Sequence, residues 1–259
     1  GRNYVYVDSG FQPNIFQSKF LNRVVDLADK FAFVNVVRLA KFRIIISEYT
    51  LDIFKKQFPK IKDKIEIINN GFSESVLGEY KPVKKLKNVV WAARISEIKD
   101  PKTVLSAYEN LASKYPDWIF YLIGKGDFEI NPEEYKSNPN VIINQNLLPQ
   151  QELFSLLCQS ALYINSSISE GMSVGVLEAA ALGCIPILSD ADSNIEISRK
   201  IETEDFIFER RNVSDLANKL ELAIKQYPSL SMNTISKKAY ENFSSGVIFE
   251  KYFKVLSKL

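Results

Sequence analysis

From residue 89 onward, short continuous apolar runs alternate with amphipathic stretches, and no other feature of the chain constrains its fold as strongly. VVWAAR (89–94), WIFYLIG (118–124), VIINQ (141–145), LYINSS (162–167), IPILSD (185–190) and DFIFE (205–209) lack in/out polarity, as strands covered on both faces do. Residues 101–115, 149–161, 173–182 and 214–227 show helical spacing, and 231–243 and 246–258 close the chain in the same way. Asp100-Pro101 gives the first helix an N-cap followed by proline at its first position. Buried-type strands separated by such helices predict an α/β fold on a parallel sheet.

The earlier part is less regular. Residues 4–7, 43–47 and 64–68 read as strands, and 48–58 as a short helix. From 15 to 42, Phe16, Phe20, Val24, Leu27, Phe31 and Val34 recur at helical spacing, with Lys19, Arg23, Asp26 and Lys30 on another face. Such a basic helix suits a core element with a solvated face, or peripheral contact with an anionic membrane surface. Residues 73–88 lose periodicity and collect lysines and a proline, as a linker does. A length of 259 residues accommodates two units. The chain opens directly into a strand, which fits a trimmed or partial chain at least as well as an intact one.

With 33 Lys+Arg against 31 Asp+Glu, the net charge of +2 excludes a strong polyanion binder, so nucleic acid is not an expected partner. The absence of histidine removes Ser-His-Asp triads and imidazole metal sites from this chain. Cys158 and Cys184 lie in separate apolar runs rather than a Cys-x-x-Cys pair, as buried thiols of a reducing compartment do. No stretch reaches the ~18 apolar residues of a membrane span, and no signal peptide opens the chain. The expectation is a cytoplasmic protein, membrane-associated at most through residues 15–42.

In an open parallel sheet, ligands bind beyond the carboxyl ends of the strands. The first strand of the regular region ends in Arg94, with Lys99 just before the helix cap; two cations there suit a diphosphate, or are surface charges. The second ends in Gly124-Lys125-Gly126-Asp127, a plain turn or a place where glycine admits a ligand to the backbone. The third glycine of a dinucleotide fingerprint is missing. The fourth leads through Glu170-Gly171-Met172-Ser173 into a helix whose Val174, Leu177, Glu178, Ala181 and Leu182 share a face. A carboxylate on an apolar face is costly without a partner, so Glu178 needs a donor-rich ligand or an Arg or Lys from a neighbouring helix. Unpaired N–H groups at that helix's start attract anionic phosphate. Gly175 inside the helix suggests close approach of another group to the backbone. Asp190-Ala191-Asp192 matches a metal–diphosphate pattern, but a turn rich in Asp and Ser gives the same string.

Together, Arg94…Lys99, Gly124-Lys125-Gly126, Glu170-Gly171-Met172…Leu177-Glu178-Ala179 and Gly183-Cys184-Ile185-Pro186 resemble the carboxyl-terminal domain of group-1 GT-B retaining glycosyltransferases. That family includes sucrose synthases and many polysaccharide-assembly enzymes. The likeness covers about residues 43–259; Phe208…Ser214-Asp215-Leu216-Ala217 and Tyr240…Phe243 resemble the family's closing helices. It implies a GT-B-like α/β fold with a partial first lobe and linker (1–84) and a Rossmann-like nucleotide-sugar-binding domain (85–240). A carboxyl-terminal helix (241–259) would cross back to the first lobe. It further implies a nucleotide-sugar donor, retaining transfer to a glycan, lipid-linked or other acceptor, and neither cofactor nor metal. Carried over by position, Arg94 and Lys99 bind the diphosphate and stabilise the departing nucleotide, and Glu170 lies beside the donor sugar. Glu178 takes the ribose diol, and Gly124, Gly126, Gly171, Met172 and Ser173 line the donor. The sequence departs from the family in its short first lobe and in Met172-Ser173, where Phe-Gly is frequent. It also lacks the family's frequent histidine near the transferred sugar, with Asp8 after the strand where that residue often stands. A nucleotide-sugar-binding or scaffold subunit without catalysis is therefore one alternative, and a GT-B-like nucleotide-sugar epimerase another.

Overall fold

The computed structural model describes residues 5–8, 36–80, 83–227, 230 and 232–258. Two compact units result, Gly1–Asn70 with Ile248–Leu259, and Gly71–Val247.

In the first unit, β1 (Val5–Asp8), β2 (Phe42–Ile45) and β3 (Ile65–Ile67) form a parallel sheet in that order, with α1 (Glu48–Gln57) between the last two strands in sequence. Successive side chains of a strand point to opposite faces. Ile44 accordingly joins Phe42, Ile68, Ile248 and Val255 in one core, while Ile45 joins Val37, Phe54 and Phe58 in another. Ser47 starts α1, its Oγ accepting from the Thr50 amide at 3.1 Å. The helix expected over 15–42 falls mostly outside the described residues; within them it covers 36–39, and Phe42 already belongs to β2. No described helix is long and apolar enough to cross a membrane.

The second unit begins with a single helical turn, α2 (Glu74–Leu77), inside the stretch that reads as a linker; Leu77 anchors it by burial. Then follow β4 (Leu86–Ala92), α3 (Pro101–Ala112), β5 (Ile119–Ile123), β6 (Val141–Asn144), α4 (Gln150–Gln159), β7 (Ser160–Asn165), α5 (Val174–Ala181) and β8 (Ile185–Ser189). The series ends with α6 (Asp192–Ile201), β9 (Ile207–Phe208), α7 (Val213–Gln226) and α8 (Met232–Phe243); α9 (Ser245–Leu256) starts in this unit and from Ile248 belongs to the first. The strands form one sheet, β6-β5-β4-β7-β8-β9, parallel throughout, as the alternating pattern predicts. Burial of β7 and β8 along their whole length explains their unbroken apolar runs.

Two elements differ from the sequence expectation. Helix α6 is not among the elements the sequence reading expects, and its buried residues include Ser193, Asn194, Glu196 and Ser198 beside Ile197 and Ile201. The strand expected over 205–209 shrinks to two residues, preceded by a 3₁₀ turn at Glu204–Phe206.

The strand order positions the site. From β4 the chain winds outward through β5 to β6, then restarts on the other side of β4 with β7. The carboxyl ends of β4 and β7 thus lie side by side at the sheet's switch point, where open α/β sheets bind their ligands.

Candidate active site

Two loops border this point, 93–100 after β4 and 166–173 after β7, and buried polar contacts tie them together. Trp91 Nε1 donates to Ser166 Oγ at 2.9 Å, and that hydroxyl in turn donates to the Lys99 carbonyl at 2.7 Å. The Ile168 amide donates to the Ile98 carbonyl at 2.8 Å. Asp100 then caps α3 from the left-handed region (φ 48°), its Oδ1 accepting from the Thr103 amide at 3.3 Å, with Pro101 in the first helical turn.

These ties bring Lys99 and Glu170 together. Their side chains form an ion pair, 24% and 14% exposed respectively, so both charges are largely withdrawn from water. Removing one partner of such a pair would leave the other buried and uncompensated. Ser167 Oγ donates to Glu170 Oε2 at 2.9 Å, and Ser193 Oγ donates to the Glu170 carbonyl at 2.8 Å. Glu170 is therefore held by both side chain and backbone.

Arg94 does not join this pair. It is exposed and meets Asp127 at 3.5 Å, lining a surface depression of about 490 Å³ with Ala93, Lys125, Gly126, Asp127 and Leu147. The glycines beside it serve backbone packing. A Cβ at Gly124 would lie 1.8 Å from the Ala93 carbonyl oxygen, and one at Gly126 would lie 1.8 Å from that of Ile95. The loop after β5 bonds the loop after β4 here, the Ile95 amide donating to the Lys125 carbonyl at 3.1 Å. Neighbouring chain fills the space next to these two glycines.

Helix α5 carries the second acid. Ser173 precedes its first turn without a side-chain cap, because its Oγ accepts from Asn165 Nδ2 at 3.2 Å. The leading amides of α5 are thus left without a side-chain acceptor from Ser173, and Met172 packs inward. Glu178 is half-buried, and burial raises its carboxyl to about 7. No Arg or Lys among the described residues bridges to it, so the ion-pair explanation of its apolar position fails. Tyr163 lies nearby; burial, reinforced by the Glu178 charge, pushes its phenol far up, and its Oη donates to the Ala92 carbonyl at 3.0 Å. A Cβ at Gly175 would stand 3.1 Å from that Oη, which identifies the group that approaches the helix backbone.

Sequence reasoning missed Arg210. Its Nε and its own amide donate to Asp190 Oδ1 at 2.8 and 3.0 Å, and Nη1 donates to the Ile168 carbonyl at 2.9 Å. The Asp190 carboxylate that began the Asp-x-Asp string is thus engaged by an arginine, and Asp192 opens α6. Among the described residues, no three Asp, Glu or Cys side chains gather as metal ligands. No sequence signal marks Arg210, because its partners belong to strand ends distant in the chain.

The model of the family described as "Glycosyl transferases group 1" matches residues 76–242. An uncharacterized glycosyltransferase of Haemophilus influenzae is 24% identical over 173 residues, spanning 66% of this chain and 49% of that protein. One from Methanocaldococcus jannaschii is 23% identical over 185 residues, spanning 67% and 44%. The chain thus covers about half the length of these curated relatives. Among solved structures, a Rickettsia africae glycosyltransferase superposes with a TM-score of 0.72 at 16% identity, covering 98% of this chain and 70% of that one. Anabaena HepE in complex with UDP and glucose gives 0.68 at 18%, covering 100% and 72%. A mutant of S. aureus TarM in complex with UDP, fondaparinux and alpha-GlcNAc-glycerol also gives 0.68 at 18%, covering 88% and 46%. These likenesses establish the GT-B type of fold.

Proposed function

Since the chain belongs to the group 1 glycosyl transferases, we propose that it moves a sugar from a nucleoside-diphosphate sugar to an acceptor hydroxyl with retention of configuration. Glu178 carries this reading: a half-buried carboxylate without a cation, at about 7, on the helix that follows Glu170. A ribose diol offers two donors to one carboxylate and would repay its desolvation. The uncapped amides of α5 then face the diphosphate, where a helix N-terminus favours negative charge.

Lys99 reaches a phosphate by exchanging Glu170 for it, which leaves the Glu170 carboxylate, still held by Ser167, to accept from a hydroxyl of the donor sugar. Charge growing on the departing nucleotide is met by Lys99 and the α5 amides; fixed donors of this type act most strongly where charge develops. Arg94 closes on the same diphosphate, and the depression it lines receives the base. The backbone at Gly171, Met172 and Ser173 borders the sugar, while Gly124 and Gly126 let the loop wall form. No metal or cofactor takes part. The acceptor is a glycan or a lipid-linked one, and the buried cysteines Cys158 and Cys184, neither of them in a disulfide, suit a cytoplasmic setting.

Neighbours of the fold solved with UDP make that nucleotide the first to test. Calorimetry should register UDP or GDP binding, and Glu178→Ala should weaken it about tenfold, the equivalent of a pair of hydrogen bonds. No heat from any nucleoside diphosphate would sink the proposal. The lack of histidine favours a second reading, a donor-binding subunit without turnover. Donor hydrolysis abolished by Lys99→Ala would decide for the enzyme; binding with no turnover under any acceptor would decide for the subunit.

A further inference from the structure

We propose that Arg210 is a positioning residue for the loop that carries Glu170, with Asp190 as its anchor. The functional consequence rests on the donor site described above; the geometry does not. Arg210 follows β9, Asp190 follows β8 and Ile168 follows β7, so one guanidinium joins the ends of three successive strands of the sheet. Nε takes the Asp190 carboxylate at 2.8 Å, Nη2 approaches the Asp190 carbonyl at 3.2 Å, and Nη1 takes the Ile168 carbonyl at 2.9 Å.

The ion pair among these contacts contributes little to stability. The two side chains are 36% and 37% exposed, and ion pairs that wet contribute little to folding. They matter instead for where the loop lies. Residues 166–173 contain no regular element, and three of their carbonyls are tethered to residues that follow or end β8 and β9. Ser189 Oγ holds the Ser167 carbonyl at 2.6 Å, Arg210 that of Ile168, and Ser193 Oγ that of Glu170 at 2.8 Å. The Ile168 amide is the bond to Ile98, next to Lys99. A shift at Ile168 therefore moves both members of the Lys99–Glu170 pair. Asp190 fixes the guanidinium plane from the backbone side of this joint, which gives the Asp-x-Asp string a role without a metal. Lysine cannot replace arginine here, since one ammonium does not span an aspartate and a carbonyl on different strands.

The test compares the full chain with Arg210→Lys and Arg210→Ala. Hydrogen exchange reads the amides of 168–173 without any ligand, and calorimetry reads UDP, UDP-glucose and UDP-N-acetylglucosamine. In Arg210→Lys, which keeps the charge beside Asp190, the melting temperature should stay at the wild-type value. Exchange at 168–173 should rise about tenfold through more frequent local opening. The preference for the better UDP-sugar over UDP should fall about tenfold, while UDP itself stays within about threefold, because Glu170 serves the sugar. A purely structural residue would instead move the melting temperature and all affinities together. Should Arg210→Ala fail to fold, the lysine variant alone decides. Unchanged exchange at 168–173 overturns the proposal, as does increased exchange with an intact sugar preference. If wild type binds no nucleoside diphosphate, the donor reading falls and the exchange arm alone judges the clamp.

Discussion

Burial holds the Glu178 carboxyl at about 7, well above an exposed glutamate. The folded chain then keeps a proton that the unfolded chain releases, so this group withdraws stability as pH rises from about 4.5 through about 7. Glu178→Gln removes that penalty. Thermal melts should find the variant equal to wild type near pH 4.5 and more stable at pH 8; a difference independent of pH would contradict the assignment. On the proposed function, ligand binding carries the opposite sign, since a ribose diol favours the ionised form. Wild-type affinity for UDP should decline as pH drops below about 7, whereas the glutamine variant binds weakly at every pH. Glu178 was legible in the sequence because helical spacing alone places it among Val174, Leu177 and Ala181. The Lys99–Glu170 pairing was not, although both residues were singled out. Spacing says which strand end a residue follows, not which ends become neighbours. Arg210 lay further beyond reach, since all its contacts with Asp190 and Ile168 are long-range.

At the scale of elements, α5 departs from an ordinary helix at Gly175. Replacing a helical glycine with alanine normally gains about 1 kcal/mol. Here the new methyl would meet Tyr163 Oη at 3.1 Å, and that hydroxyl is fastened to the Ala92 carbonyl of β4. The gain and the crowding should roughly cancel, leaving Gly175→Ala nearly neutral in denaturant unfolding. In a Tyr163→Phe background the obstruction is gone, and the same substitution should stabilise by about 1 kcal/mol relative to Tyr163→Phe alone. Equal effects in both backgrounds would mean that the phenol is not what occupies the space. The glycine's cost was readable from the sequence, but the phenol that requires it was not. Helix α6 illustrates the complementary failure: few strongly apolar residues mark it, because Ser193, Asn194, Glu196 and Ser198 share burial with Ile197 and Ile201. Continuous apolar strands such as β7 and β8 were the easy case, because parallel pairing between two helical layers demands them.

For the whole molecule, the division of the chain bears on where binding resides. Arg94, Lys99, Glu170, Glu178 and Arg210 all belong to the unit Gly71–Val247. That unit has its own six-stranded sheet and an apolar core around Trp91, Phe120, Leu177 and Phe208. A core of this extent in a segment of ordinary domain size can fold without the remainder of the chain. Residues 71–247 produced alone should therefore bind UDP within about threefold of the full chain, by calorimetry under matched conditions. A loss of about tenfold or more would assign part of the donor site to the first unit. Sugar transfer should behave differently. On the proposed function, transfer needs more than nucleotide binding, because an acceptor hydroxyl must be aligned with the donor within a fraction of an ångström. Fragment and full chain should thus agree in nucleotide binding and part in turnover. Equal transfer rates from both would mean that Gly71–Val247 by itself contains the acceptor-binding groups.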